Sequence, residues 1–223
     1  MTIFRKSWLY SLVWWLGRLL YRIVFRWELV HVEELPASGP CIIASSHASF
    51  LDPQLIGTAL DRPIEYMGRR TLFTGNRVLK WIITELGTFP IDRDGDPRSA
   101  IRGFCERLAL GKCVLMFPEG TRTRTGQLGE MKPGVGMIAV RAQAPVLPIY
   151  IAGSYNAWPR HRAVPFPAKV RVIAGDLITP ADTGDDRAAA KAEQERIQLE
   201  VERQLRALEA RYCLTPLLPP PTA

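Results

Sequence analysis

Hydrophobic and polar residues follow one another along this chain in blocks that are typical of strands alternating with helices. Three short runs, at residues 41–44, 113–117 and 146–151, are almost wholly apolar and partly β-branched, which is typical of buried strands. Further strands are predicted over residues 63–67, 88–91 and 168–176. Helices are predicted over residues 53–60, 76–86, 97–110, 135–143 and 187–212. Together they predict an α/β layered domain around a mostly parallel central sheet.

The amino-terminal segment has a different pattern. Residues 8–30 are rich in Trp, Leu, Tyr, Phe and Val, and Arg18, Arg22 and Arg26 recur every four residues. These arginines form a slowly winding stripe on a helix and leave an apolar run that is too short to span a bilayer. Aromatic rings beside a basic stripe are typical of a helix lying in the membrane interface. We expect such a helix here; a buried domain helix with arginines at its rim, or a tilted or hairpin insertion, would have a similar pattern.

The pattern therefore divides the chain into a membrane-interface helical segment (residues 1–30), one domain (31–215) and a proline-rich tail (216–223) that is expected to be disordered. A chain of 223 residues is long enough to bury one core without disulfides or a metal. Its cysteines, Cys41, Cys105, Cys113 and Cys213, are scattered, and we expect free thiols in a reducing compartment. The three histidines have no zinc-ligand spacing, so no metal site is expected.

The charge of the chain narrows the classes of partner only slightly. There are 29 Lys and Arg against 22 Asp and Glu, a formal net charge of +7, which suits nucleic acid, an anionic membrane or an acidic or phosphorylated partner. The aromatic residues concentrate in the apolar amino-terminal segment instead of interleaving with basic ones, so no nucleic-acid partner is expected. The chain has no nucleotide-binding glycine loop and no G-x-S-x-G elbow, which argues against nucleotide-driven chemistry and against a serine hydrolase.

The candidate chemistry begins where the first buried strand ends. Residues 45–53 read Ser-Ser-His-Ala-Ser-Phe-Leu-Asp-Pro, and Asp52 and Pro53 are expected at the cap and the first position of the next helix. A loop that curls into this cap can bring the Asp52 carboxylate to the His47 imidazole. An imidazole can accept a proton near neutral pH, and a carboxylate can orient it. This spacing alone also arises by chance, so further signals are needed.

Three more blocks supply these signals. Residues 87–93 read Gly-Thr-Phe-Pro-Ile-Asp-Arg, and residues 117–122 read Phe-Pro-Glu-Gly-Thr-Arg and are continued by a polar, glycine-rich loop. The last block is the strand around residues 146–148. Together with His47 and Asp52, and over about residues 40–151, these blocks resemble the glycerolipid acyltransferase family typified by the lysophosphatidate acyltransferases. Ser46 departs from the Asn that often precedes the histidine in that family.

The resemblance implies a role for each matching residue. It implies that His47 and Asp52 are the catalytic pair and that Arg93 contacts the phosphate of the acceptor. The other residues expected to bind substrate are Glu119, Gly120, Thr121, Arg122 and Lys132. Cationic side chains suit a phosphate, and glycine permits close approach of the backbone. Glu119 has two possible roles, holding a glycerol hydroxyl or anchoring Arg122. Arg122 and Lys132 could instead be solvated loop charges, and Arg93 could pair with Asp92.

The expected activity follows from these roles. We expect a membrane-associated acyltransferase that moves an acyl group from the thioester of acyl-CoA or acyl carrier protein to the sn-2 hydroxyl of lysophosphatidate. No other cofactor is expected. The alternatives are another acceptor, such as glycerol-3-phosphate or a lyso-aminolipid, and a non-catalytic protein that binds phospholipid at the membrane surface. The expected location is the cytoplasmic face of the inner or cell membrane.

Overall fold

The computed structural model describes residues 8–91 and 97–213, and its centre is a seven-stranded sheet within these residues. The strands are β1 (Glu28–Val30), β2 (Cys41–Ser45), β3 (Ile64–Arg69), β4 (Thr88–Ile91), β5 (Cys113–Met116), β6 (Val146–Ala152) and β7 (Arg171–Ala174). The helices are α1 (Trp8–Val24), α2 (Asp52–Ala59), α3 (Arg77–Glu85), α4 (Pro97–Ala109), α5 (Val135–Ala142), α6 (Ser154–Ala157) and α7 (Arg187–Tyr212).

The strand order is β1-β7-β6-β2-β5-β3-β4. Strands β6, β2, β5, β3 and β4 are mutually parallel neighbours, β7 is antiparallel to β6, and β1 is parallel to β7. The predicted α/β architecture with a mostly parallel sheet is confirmed. The carboxyl ends of β2 and β5 lie side by side, so the loops that follow them meet at one edge of the sheet.

Helices cover both faces of the sheet. Side chains of α4, α5 and α7, such as Phe104, Ile138 and Val201, pack on one face in a hydrophobic cluster. Side chains of α1 and α2, such as Tyr21 and Leu55, pack on the other. The central strands are buried on both faces, and β2 and β6 are buried at every residue. This burial explains why these strands are continuous apolar runs in the sequence.

The predicted elements agree with the observed ones to within a few residues, with four differences. The four-residue helix α6 lies in a segment where no helix was predicted. The short strand β1 was not predicted. It lies within residues 1–30 and pairs with β7, so the predicted amino-terminal segment and the predicted domain contribute to the same sheet. Strand β7 is shorter than the predicted strand over residues 168–176. Asp52 is the first residue of α2 and Leu51 is its cap, one position earlier than predicted. The predicted tail, residues 216–223, lies outside the described residues.

Helix α1 is attached to the domain by one of its faces. The indole Nε1 of Trp14 donates to the carbonyl of Leu60 at 3.0 Å, and Arg18 pairs with Asp61 at 2.7 Å. The opposite face is open to solvent and strongly apolar, and it comprises Trp8, Leu12, Val13, Trp15, Leu16, Leu19, Leu20 and Ile23. Across the described residues, we find no helix whose length and apolar character would let it cross a membrane.

Candidate active site

The loop between β2 and α2 brings His47 and Asp52 together. One oxygen of the carboxylate, Asp52 Oδ2, lies 2.9 Å from His47 Nδ1. The same oxygen accepts hydrogen bonds from the backbone N–H groups of Ala48 and Ser49, both at 2.7 Å. Asp52 therefore bonds backwards into the loop that precedes its helix, and this curls the loop until the imidazole meets the carboxylate.

The environment of Asp52 determines how the imidazole can act. The Asp52 side chain is fully buried, whereas 17% of the His47 side chain is exposed. An ionised carboxylate can only accept, so His47 donates from Nδ1–H and its Nε2 is left with a lone pair. A neutral imidazole held in this tautomer can act as a general base.

Three further contacts hold His47 in place. Its ring stacks on the ring of Phe117, with centroids 3.8 Å apart and planes 14° apart. Its backbone N–H donates to Glu119 Oε1 at 2.8 Å, and its carbonyl accepts from the N–H of Thr123 at 2.9 Å. The loop after β5 thus fixes both the ring and the backbone of the histidine that follows β2.

Glu119 connects three segments of the site. While Oε1 accepts from His47, Oε2 accepts from the backbone N–H of Gly129 at 2.8 Å. The side chain is buried, and burial raises the pKa of this carboxyl above its ordinary value, against the opposing effect of the two N–H donors. Both oxygens thus accept hydrogen bonds from backbone N–H groups, and the two predicted roles of Glu119, holding a substrate hydroxyl or anchoring Arg122, stay predictions.

The turn that carries Glu119 is tight. The N–H of Gly120 donates to the carbonyl of Phe117 at 2.9 Å, and Gly120 has a φ of 70°, a conformation that favours glycine. Lys132 packs against this glycine, because a Cβ added there would lie 3.4 Å from Lys132 Nζ. Gly120, Thr121 and Lys132 are all exposed. The turn therefore presents a bare backbone and an ammonium group to solvent beside the buried glutamate.

Arg122 lies over the ring of Phe50, with its guanidinium carbon 3.5 Å from the ring centroid. Its Nη1 is buried and has no hydrogen-bond partner within the described residues. Burial and the nearby charge of Arg160 lower the pKa of Arg122, and the charge of Asp52 opposes them. The guanidinium is thus stacked on the residue that lies between His47 and Asp52, with unused donor capacity.

The structure brings seven of the eight predicted site residues to this region: His47, Asp52, Glu119, Gly120, Thr121, Arg122 and Lys132. Arg93 lies outside the described residues. Ser46 accepts a hydrogen bond at Oγ from the N–H of Ile151, so it joins the active-site loop to β6. No group of three or more His, Cys, Asp or Glu side chains suited to a metal occurs in the described ranges, 8–91 and 97–213.

Two contributions to the candidate active site were not predicted from the sequence. Phe117 was noted only as part of a motif, although its ring supports the imidazole. The N–H groups of Thr123 and Gly129 hold His47 and Glu119, and backbone groups leave no trace in a sequence. The polar, glycine-rich composition of the loop over residues 123–136, and its place in the third motif block, indicated that it belonged to the site.

Comparison with known proteins identifies the family. The sequence model described as Acyltransferase matches residues 26–152, more than half of the chain. The chain is also 31% identical over 185 residues to the 1-acyl-sn-glycerol-3-phosphate acyltransferase of Pseudomonas aeruginosa, covering 81% of this chain and 68% of that protein. The chain belongs to the acyltransferase family. The resemblance predicted from its motifs is confirmed.

Other acyltransferases of the family match different shares of the chain. The 1-acyl-sn-glycerol-3-phosphate acyltransferase of Bacillus subtilis is 30% identical over 159 residues, which are 70% of this chain and 75% of that protein. A chloroplastic enzyme of the same name from Brassica napus is 32% identical over 139 residues, and the chain spans only 40% of its length. Among solved structures, the 1-acyl-sn-glycerophosphate acyltransferase PlsC from Thermotoga maritima superposes with a TM-score of 0.67 at 25% identity. The match covers 89% of this chain and 80% of that one.

Proposed function

We propose that this protein transfers an acyl group from a thioester donor, acyl-CoA or acyl carrier protein, to the sn-2 hydroxyl of lysophosphatidate, and so forms phosphatidate. The observation that carries the proposal is the His47–Asp52 pair, with Nδ1 and Oδ2 2.9 Å apart. The names of the relatives support lysophosphatidate as the acceptor.

The reaction needs a group that removes a proton from the acceptor hydroxyl. In this proposal, His47 Nε2 accepts that proton while the hydroxyl oxygen attacks the carbonyl carbon of the thioester. The tetrahedral intermediate then collapses, the carbon–sulfur bond breaks, and the leaving thiolate takes up the proton held by His47. Asp52 stabilises the imidazolium that exists between these steps. A positioned base of this kind contributes about 10²–10⁴ in rate.

The phosphate of the acceptor is proposed to bind at Arg122. A phosphate oxygen can accept the hydrogen bond that its buried Nη1 does not make within the described residues, and charge-assisted bonds of this type are strong. Lys132 and Arg93 are proposed to complete the phosphate site. Gly120 then permits close approach of the glycerol part to the turn.

Helix α1 is proposed to rest on the cytoplasmic surface of the inner or cell membrane, where the lipid acceptor and the lipid product reside. Its open face carries eight large apolar side chains, and Arg22 and Arg26 are exposed beside it. An apolar face flanked by arginines favours an interface with anionic lipid.

The test is transfer of a labelled acyl group to a panel of lysolipids by wild type and His47→Ala, with His161→Ala as a control on an exposed histidine. We expect transfer to lysophosphatidate that is lost in His47→Ala and kept in His161→Ala. Full activity of His47→Ala would exclude the mechanism. Transfer only to glycerol-3-phosphate or a lyso-aminolipid would change the acceptor and keep the chemistry. Vesicle binding without transfer from any donor would favour the non-catalytic alternative.

A further inference from the structure

Helix α7 contacts the active-site loop over residues 123–136 through two side chains that lie three positions apart on the helix. The guanidinium of Arg206 donates from Nη1 to the carbonyl of Leu128 and from Nη2 to the carbonyl of Gly129, both at 2.8 Å. The carboxylate of Glu209 accepts from the N–H of Leu128 at 2.7 Å. Residues three apart on a helix are neighbours on its surface, so both side chains reach the same short piece of the loop.

Residues 128 and 129 have all four of their backbone polar groups in hydrogen bonds. Three of these groups bind α7, and the fourth, the N–H of Gly129, donates to Glu119 Oε2 at 2.8 Å. The carbonyl of Leu128 and the N–H of Gly129 belong to one peptide group, which is planar and rigid. Arg206 and Glu119 therefore bind opposite ends of the same rigid group.

Only the carboxylate of Glu119 separates this peptide group from the histidine. One oxygen of Glu119 accepts the Gly129 N–H and the other accepts the His47 N–H, at 2.8 Å in both cases. A Cβ added to Gly129 would lie 3.1 Å from Glu119 Oε2, so glycine allows the close approach that this contact needs. The backbone that carries the imidazole is thus connected to α7 by three successive hydrogen bonds.

Neighbouring groups on α7 orient Arg206. Its Nη2 lies 3.5 Å from Glu202 Oε1, and its Nη1 lies 3.7 Å from Glu209 Oε2. Leu128 is buried in the same hydrophobic cluster as Leu205 of α7, so the loop and the helix are also joined by packing. A guanidinium presents its donors in a fixed planar fork, and here that fork meets two consecutive carbonyls at once.

Helix α7 lies wholly beyond residues 26–152, the part of the chain that the acyltransferase family model matches. We propose that Arg206 and Glu209 are positioning residues for acyl transfer, because they hold Leu128 and Gly129 where Glu119 can fix the backbone of His47. The inference rests on the proposed role of His47 as the base and makes that role dependent on α7.

The first test is spectroscopic and needs no turnover. The full chain is labelled with ¹⁵N-histidine, so that the backbone amides of its three histidines, His31, His47 and His161, give separate signals. Arg206→Ala should shift the His47 signal and leave the other two in place, because it removes the donors that hold the peptide group bound by Glu119.

Arg203→Ala is the matched control. Arg203 also lies on α7, and its side chain is 65% exposed and pairs with Glu200 of the same helix. Its removal costs α7 an arginine and an ion pair without touching residues 128 and 129. We expect the His47 signal of Arg203→Ala to coincide with that of wild type.

The kinetic test measures kcat and KM for transfer to lysophosphatidate. Arg206→Ala should lower kcat about tenfold or more, since a displaced catalytic group reacts slowly, with little change in KM for either substrate. Arg206→Lys keeps the charge and loses the fork, so its kcat should be intermediate. Glu209→Gln keeps an acceptor oxygen for the Leu128 N–H and should have a kcat near wild type, whereas Glu209→Ala should lower kcat.

The combination of Arg206→Ala with Glu119→Gln tests the route of the effect. Substitutions in one network of hydrogen bonds have non-additive effects. If Arg206 acts through Glu119, the double variant should have about the same kcat as Glu119→Gln alone. Two effects on kcat that simply multiply would overturn the proposed route.

Three further outcomes would overturn the inference. These are an unchanged His47 signal in folded Arg206→Ala, a wild-type kcat in that variant, and an equal loss of kcat in Arg203→Ala. Where Arg206→Ala does not fold, the same criteria apply to Arg206→Lys, the milder change. If wild type transfers no acyl group, the proposed function fails, and the histidine signals still decide whether α7 positions His47.

Discussion

The carboxylate of Glu119 holds the backbone of His47: Oε1 accepts the His47 N–H at 2.8 Å. Its other oxygen accepts the Gly129 N–H at the same distance. A planar group with two acceptor oxygens thereby connects the loop after β2 with both sides of the loop after β5. We infer that Glu119 positions the histidine.

Glu119→Gln tests this arrangement. A carboxamide has one acceptor oxygen and places an NH₂ group towards the second backbone N–H, so one buried donor loses its partner. We expect the free energy of unfolding to fall by about 1–3 kcal/mol and kcat to fall at least about tenfold, with little change in KM for the acceptor. Chemical denaturation and steady-state kinetics measure these quantities.

Glu130→Gln is the matched control, since Glu130 is exposed on the same loop. It should leave stability and kcat unchanged. A Glu119→Gln protein of normal stability whose only defect is a raised KM for the acceptor would show instead that Glu119 binds substrate.

Asp52 has two roles, since it holds the loop that precedes α2 and it orients and stabilises the imidazole of His47. Two substitutions of Asp52 separate these roles. Asp52→Asn can keep an acceptor oxygen for the Ala48 and Ser49 N–H groups and place its NH₂ at the position of Oδ1, which has no hydrogen-bond partner within the described residues. We expect a folded protein whose kcat is reduced by about 10²–10⁴. Asp52→Ala removes the acceptor as well and should also cost about 2 kcal/mol or more of stability. Asp52→Asn with wild-type kcat would refute the catalytic pair.

The sequence predicted what depends on local pattern and on chemical type. The buried strands were evident because they are continuous apolar runs. His47 and Asp52 were predicted because few residue types can form a general base with an orienting carboxylate, and because three further motif blocks accompany them. The partners of Glu119 were not predictable, since they are backbone groups 72 and 10 residues away along the chain. Strand β1 was missed because three residues carry too little pattern and its partner, β7, lies far along the chain.

The open face of α1 allows a direct test of membrane attachment. Leu16, Leu19 and Ile23 are 56%, 58% and 68% exposed, and burying each side chain in lipid is worth about 1.5–3 kcal/mol at most. Replacing all three by serine should reduce sedimentation with anionic phospholipid vesicles at least about tenfold. Leu199 of α7 is 67% exposed and lies outside α1, so it provides the control. The Leu199→Ser variant should bind vesicles as the wild type does. Unchanged binding of the triple variant would refute attachment through α1.

Glu193 predicts a specific sensitivity to acid. It accepts hydrogen bonds from Arg196 and from the Ala181 N–H, and Arg196 lowers the pKa of the Glu193 carboxyl to about 2. Because this pKa is lower in the folded than in the unfolded protein, the stabilisation is present above about pH 4.5 and is lost as the pH falls towards 2.

The measurement is the free energy of unfolding of wild type and Glu193→Gln at several pH values. We expect wild type to be more stable by about 1 kcal/mol or less at pH 6, since Arg196 is half exposed, and the difference to vanish near pH 2. Glu195→Gln, an exposed neighbour on α7, should show no such trend. A difference that is constant from pH 6 to pH 2 would contradict this assignment.

The pairing of β1 with β7 has a consequence for how the chain folds during synthesis. Glu28 of β1 is opposite Arg171 of β7, so the first strand to be made cannot be paired in the native sheet until more than 140 further residues have been added. At a translation rate of about 5–20 residues per second, this takes on the order of ten seconds. Throughout that interval, β1, which directly follows helix α1, has no strand to pair with. A ribosome-bound chain that ends before residue 171 should therefore leave residues 28–30 open to proteases, and one that extends well beyond residue 174 should protect them.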